Sequence, residues 1–290
     1  MISTAPSNTT APTRHTTVGD NTYAYRQFGS GPGLPLLFLQ HFTGTLDSWD
    51  PAVTDPLAAG RSVILFESAG IGRSSGRVPE TVAGMADHAL KFLDTIGLTQ
   101  VDVLGFSLGG MVAQVMALKR PAVLRRIILT GTGPEGGVGV AMDRPELLRI
   151  FVDSKMPMSE KLLKLFFETT ETSQSAGRHF VQRLARRTED NDTPTTAEAA
   201  GAQLVAMAKW AKPGGKPYAD LKNITQPVLV TNGNNDIMIP TANSFTLSEH
   251  LPNAQLIIYP DSGHGSLFQH SGAFTSHVSE FLNRSDGLVV

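Results

Sequence analysis

A serine, a histidine and an aspartate at the right places in this chain could together do nucleophilic acyl chemistry, and the serine is the clearest of the three. An apolar strand pattern, Val101–Phe106, runs straight into Ser107, and an apolar helix pattern over 108–118 leaves it with no loop between. Gly105-Phe106-Ser107-Leu108-Gly109 therefore reads as a sharp strand-to-helix elbow carrying an exposed hydroxyl. So tight a turn leaves no space for Cβ atoms two residues either side of the serine. It also strains the serine backbone while aiming Oγ away from the sheet. The five-residue pattern is weak on its own, because Gly72-Arg73-Ser74-Ser75-Gly76 matches it too. There a loop at 67–71 separates the match from its strand, and Arg77-Val78-Pro79 does not open a helix. Ser74 reads as a loop hydroxyl and Ser107 as the nucleophile.

A serine hydroxyl needs a base within hydrogen-bond reach, itself oriented by a third group. Of the eight histidines, His41 and His264 occupy loops directly after strand patterns. His88 and His277 fall in helix patterns, His179 in a helical segment, His15 near the N-terminal tail and His270 just before the last helix. His250 ends a helix, where the dipole alone favours a cation. His264 is flanked by glycines and completes the chain order Ser, Asp, His. His41 precedes the elbow and reads as a structural or pocket-lining residue. Asp236, just past the strand pattern at 227–231, is the best orienting acid, with a turn aspartate as its competing reading. Glu135 is the alternative acid, and Asp261 stands too near His264 in sequence. A developing oxyanion needs donors. The backbone N–H of Leu108, at the start of the elbow helix, is one; Phe42, after the strand pattern at 34–40, supplies the other.

The elements that must position these residues alternate along the chain. His15 to Phe28 suits an antiparallel hairpin, turned at Asp20-Asn21. Buried strand patterns follow at 34–40, 63–66, 101–106, 126–130, 227–231 and 256–259, with a helix pattern from Val82 to Ile96 and others at 240–251 and 273–282. From 135 to 218 strand runs vanish and helical patterns appear at Pro145–Val152, 159–167, 177–184 and Ala197–Trp210. The expectation is a doubly wound, mostly parallel α/β sheet formed by 15–134 and 219–290, with 135–218 inserted as an all-helical cap. Ligands of such sheets sit outside the carboxyl ends of the strands, and Phe42, Ser107, Asp236 and His264 all follow strand ends.

Composition narrows the partners. The chain has 24 basic and 26 acidic residues, a net charge of −2, so nothing points to nucleic acid or an anionic membrane. With no cysteine, disulfides and thiolate catalysis are excluded. Residues 1–14 are Ser/Thr/Asn/Pro-rich, a poor signal peptide, and read as a disordered tail. No apolar run approaches a membrane span, and a cytoplasmic protein is expected.

The chain after about residue 15 resembles the α/β-hydrolase superfamily. The likeness rests on Gly-Phe-Ser107-Leu-Gly-Gly-Met-Val-Ala-Gln, Glu67-Ser-Ala-Gly-Ile-Gly-Arg-Ser, Gly-Asn-Asn-Asp236-Ile-Met-Ile-Pro and Ser-Gly-His264-Gly. It implies a Ser107–His264–Asp236 triad under a helical cap inserted after the strand at 126–130. Two departures stand out: Gln40-His41 replaces the His-Gly that many members carry before the oxyanion residue, and Glu67 stands where aspartate is commoner. The function expected is a cofactor-free serine hydrolase of esters or similar carbonyl compounds, working through an acyl-enzyme. Haloperoxidase or perhydrolase chemistry and C–C bond hydrolysis are alternatives on the same triad, and a small-molecule receptor with a vestigial triad is an alternative of another class. A metal-dependent hydrolase is disfavoured, since no His-x-x-x-His or acidic cluster has ligand spacing. Haloalkane dehalogenation needs a carboxylate where Ser107 stands. Phe151, Phe166, Phe167, Phe180, Leu204, Met207 and Trp210 suggest an apolar lid, and hence an apolar acyl or aromatic substrate.

Overall fold

A computed structural model describes residues 7–141, 144–212 and 214–285. In chain order it contains β1 (Arg14–Val18), β2 (Asn21–Phe28), β3 (Gly33–Leu39), α1 (Pro51–Ala58), β4 (Arg61–Phe66), α2 (Val82–Thr95), β5 (Val101–Phe106), α3 (Leu108–Lys119) and β6 (Leu124–Thr130). Then come α4 (Pro145–Val152), α5 (Met158–Phe166), α6 (Glu171–Leu184), α7 (Ala197–Trp210), β7 (Val228–Gly233), α8 (Ala242–His250), β8 (Ala254–Tyr259), α9 (Ser266–Gln269) and α10 (Ser271–Asn283).

The strands form one eight-stranded sheet in the order β1-β2-β4-β3-β5-β6-β7-β8. The β1–β2 and β2–β4 pairings are antiparallel, and every pairing from β3–β4 onward is parallel. The apolar runs of β5, β6 and β7 fit this place, because central strands of a covered sheet are buried on both faces. Asp102 is the exception within β5, and its buried carboxylate is met by Arg61 at 3.0 Å and Arg125 at 2.6 Å. Two helix pairs, α2 with α3 and α1 with α10, pack along the sheet. Because β3 to β8 run parallel, their carboxyl ends share one edge. Helices α4 to α7 lie between β6 and β7 in the chain.

One expectation needs correcting. Residues 1–6 of the expected disordered tail lie outside the described residues, but from Ser7 onward the tail is packed. Asn8 is buried, its Nδ2 donating to Trp49 O at 3.1 Å and Thr54 Oγ1 at 2.9 Å. Ala11 is fully buried, and Arg187 donates to the carbonyls of Asn8 and Ala11, each at 3.0 Å. A polar composition argues for disorder when polar groups have only water to bond. Here they meet fixed partners far along the chain, which local composition cannot reveal.

Candidate active site

The elbow forms at the end of β5, where Ser107 has φ 57° and ψ −119°. This left-handed conformation is costly for a residue with a Cβ and persists only where the surroundings impose it. They do so from both sides: Ser107 N–H donates to Thr130 O at 2.9 Å, and Thr132 Oγ1 donates to Ser107 O at 2.7 Å. The flanking glycines are required by contact. A Cβ on Gly105 would lie 2.5 Å from Gly109 O, and one on Gly109 would lie 2.0 Å from Leu39 O. Ser74, by contrast, is tied into its own loop, donating to Glu67 O and accepting from Ala24 N–H, both at 2.9 Å.

The loops after β7 and β8 bring Asp236 to His264. Asp236 Oδ2 lies 2.7 Å from His264 Nδ1, while Oδ1 accepts the backbone N–H groups of Met238 at 2.7 Å and Ile239 at 3.0 Å. Both side chains are buried. The carboxylate can only accept, so Nδ1 carries the hydrogen and Nε2 is left as the free acceptor of the neutral ring. Two more glycines make room. A Cβ on Gly131 would stand 3.2 Å from His264 Nδ1, and one on Gly233 would stand 2.1 Å from Ser262 O.

Phe42 follows β3, and Leu108 is the first residue of α3. Neither backbone N–H has an acceptor among the described residues. Both neighbours of Phe42 are tied down. His41 N–H donates to Gln40 Oε1 at 2.9 Å, and Thr43, at φ 60°, donates its N–H to Gln203 Oε1 at 2.8 Å. Thr195 Oγ1 donates to Thr43 O at 2.8 Å, so the segment before α7, and α7 itself, hold the β3 loop.

Ser107, His264, His41 and Phe42 line one cavity of about 710 Å³ together with residues of α4 to α7. Its lining is mostly apolar, as small-molecule sites generally are. Of the seven residues suggested as a lid, Phe151, Phe166, Phe180 and Leu204 line it, whereas Phe167, Met207 and Trp210 do not. Trp210 sits instead beside a second cleft with Glu135, so the alternative acid is not brought to His264. Asp261 accepts from Thr170 Oγ1 at 2.8 Å.

Two features of the site escaped sequence reasoning. Phe166 O accepts Gly265 N–H at 2.8 Å, and the Phe166 ring packs on the imidazoles of His264 (centroids 5.4 Å apart) and His41 (5.3 Å). The second is the bonding of His41, whose Nδ1 is taken by Phe42 O at 2.8 Å while Nε2 is buried without a partner. No sequence signal marks which aromatic of α4 to α7 meets His264. Among the described residues no helix is long and apolar enough to cross a membrane.

Residues 35–271 match the family model of the alpha/beta hydrolase fold, and the chain belongs to that family. An alpha/beta hydrolase fold protein from Chitinophaga pinensis superposes with a TM-score of 0.91 at 42% identity, covering 97% of this chain and 100% of that one. The 2-hydroxymuconate semialdehyde hydrolase of Pseudomonas sp. (strain CF600) is 26% identical over 90% of this chain and 91% of its own length. The enol-lactonase from Burkholderia xenovorans LB400 shares the fold, with a TM-score of 0.74 at 18% identity over 93% of this chain and 100% of that one.

Proposed function

We propose that this protein hydrolyses esters of apolar acyl or aromatic groups through a Ser107–His264–Asp236 triad. The observation that carries the reading is the 2.7 Å Asp236–His264 bond, on the wall of the cavity that also receives the strained Ser107. His264 Nε2 takes the proton from Ser107 Oγ as that oxygen attacks the substrate carbonyl. The tetrahedral oxyanion is held by the N–H groups of Phe42 and Leu108, the latter at the positive end of α3. Collapse expels the alcohol, which takes its proton from His264, and leaves an acyl-Ser107. Water, deprotonated by the same imidazole, then releases the acid and restores the serine. Asp236 keeps the ring in the Nδ1–H tautomer and stabilises the imidazolium that forms twice in the cycle.

The similarity to 2-hydroxymuconate semialdehyde hydrolase favours a second reading, hydrolysis of a carbon–carbon bond by the same residues. Turnover of short p-nitrophenyl esters against that semialdehyde ranks the two. The test of the triad is Ser107→Ala. Alanine tolerates the positive φ no worse than serine, so the fold should be kept, and kcat on p-nitrophenyl butyrate should fall by roughly 10³-fold or more. Undiminished turnover in a folded Ser107→Ala protein would contradict the mechanism.

A further inference from the structure

The cavity wall also holds an imidazole for which the proposed reaction has no use. His41 is 8% exposed and stands one residue before Phe42 on the loop after β3. Its Nδ1 lies 2.8 Å from the carbonyl oxygen of Phe42. A carbonyl only accepts, so Nδ1 carries the hydrogen and Nε2 is a bare lone pair. That atom is buried and has no hydrogen-bond partner among the described residues. Protonation does not relieve it, because burial, aided by the neighbouring His264, lowers the His41 pKa to about 4. The rings packed edge-on against it, Phe106 and Phe166, each with centroids 5.3 Å away, offer no donor.

A buried acceptor without a donor is penalised much as a lost hydrogen bond is, and native proteins hold few of them. An apolar side chain of similar size would pack against two phenylalanines without that penalty. Apart from His264 Nε2, which the proposed reaction uses, the other polar side chains on the wall do not share this character. The hydroxyls of Thr43, Thr45, Ser48 and Thr195 can donate or accept, and Lys161 only donates. The neutral His41 Nε2 only accepts, and so it distinguishes ligands that bring a hydrogen from ligands that do not.

We propose that His41 Nε2 receives a hydrogen bond from a hydroxyl or N–H group of the substrate, and that the preferred substrates are esters carrying such a donor close to the scissile carbonyl. The inference rests on the ester-hydrolase reading above. His41 lines the cavity next to Phe42; its Nε2 is closed off in the unliganded protein, so a donor on an acyl group whose carbonyl oxygen is held by the Phe42 N–H reaches it as the adjoining side chains give way. The surrounding apolar wall accepts the remainder of the acyl group. In the shielded interior such a bond is stronger than in water, and an analogue lacking the donor leaves the acceptor unpaired.

The test measures kcat/KM on two pairs of esters. Methyl mandelate is set against methyl phenylacetate, which lacks only the hydroxyl. Methyl hippurate is set against methyl 3-benzoylpropionate, in which CH₂ replaces N–H. Each ratio is divided by the ratio of the free esters' alkaline hydrolysis rates, which removes the inductive effect of the donor. The wild type is expected to favour the donor-bearing ester by about tenfold or more in at least one pair, and the pair that responds tells hydroxyl from N–H. The preference should fall toward unity in His41→Asn, whose short amide reaches only the Nδ1 position. His41→Gln, whose amide oxygen can replace Nε2, should retain part of it. A corrected ratio near one for both pairs in the wild type overturns the proposal while p-nitrophenyl ester turnover leaves the hydrolase reading standing. A preference undiminished in His41→Asn overturns it too, and absence of Ser107-dependent turnover on every ester removes the reading and the proposal together. The wild-type ratio needs no variant, so misfolding of a mutant cannot shield the claim.

Discussion

Asp236 divides its two oxygens between two tasks. Oδ1 is committed to the N–H groups of Met238 and Ile239, and Oδ2 faces His264 Nδ1. In Asp236→Asn the amide oxygen stays with the two backbone donors, since an NH₂ there would face N–H groups. The NH₂ group is then turned on His264 Nδ1, which can no longer carry the hydrogen. The ring must adopt the other tautomer, with a hydrogen on the nitrogen that should receive the serine proton. We expect kcat to fall by roughly 10³–10⁴-fold with KM little changed, measured on a p-nitrophenyl ester. A loss confined to KM would show that Asp236 shapes binding and does not orient the base.

At the scale of elements, the helices α5 and α6 and the loop that carries His264 are bonded to each other. The carboxyl end of α5 reaches that loop through Phe166 O and Gly265 N–H. A few residues on, Thr170 Oγ1 donates to Asp261 and Ser173 Oγ donates to Gln269 Oε1 at 2.6 Å. The contact is tight, because a Cβ on Gly265 would come within 2.8 Å of Phe166 Cβ. Gly265 has φ −85°, so alanine meets no backbone strain there and acts through this contact alone. Gly265→Ala should push α5 from the loop, disturb the register of His264 against Ser107, and lower kcat about tenfold. Gly272→Ala, in α10 with open space around it, serves as the control and should leave kcat unchanged. Equal rates for the two variants would show that α5 does not set the position of His264.

For the molecule as a whole, much of the plan was legible in the sequence because it depends on local patterns. The uninterrupted strand and helix around Ser107 distinguish it from Ser74 without knowledge of anything distant. The doubly wound sheet follows from alternation of apolar runs with helical spacing, and parallel strands put their carboxyl ends on one edge. Boundaries moved by a few residues: β6 begins at Leu124, and the short helix Ser266–Gln269 was not foreseen. What could not be read depends on partners remote in the chain. The ordering of residues 7–13 relies on Trp49, Thr54 and Arg187. Arg26, fully buried in β2, is paired with Asp47 at 2.6 Å and with Asp192 at 3.0 Å, which ties the segment between α6 and α7 to the sheet. A polar tail and scattered charges give no local sign of such pairings. The same holds for Phe166, one aromatic among several in α4 to α7 until the fold sets it on His264.

The proposed mechanism requires that this fold activate one serine. The most direct measurement is the intact mass of the protein after incubation with a fluorophosphonate, followed by peptide mapping. A single phosphonyl adduct is expected on Ser107, formed far more slowly in Asp236→Asn and absent in Ser107→Ala, with Ser74 unmodified. A wild-type protein that takes no adduct, or a Ser107→Ala protein that still takes one, would contradict it.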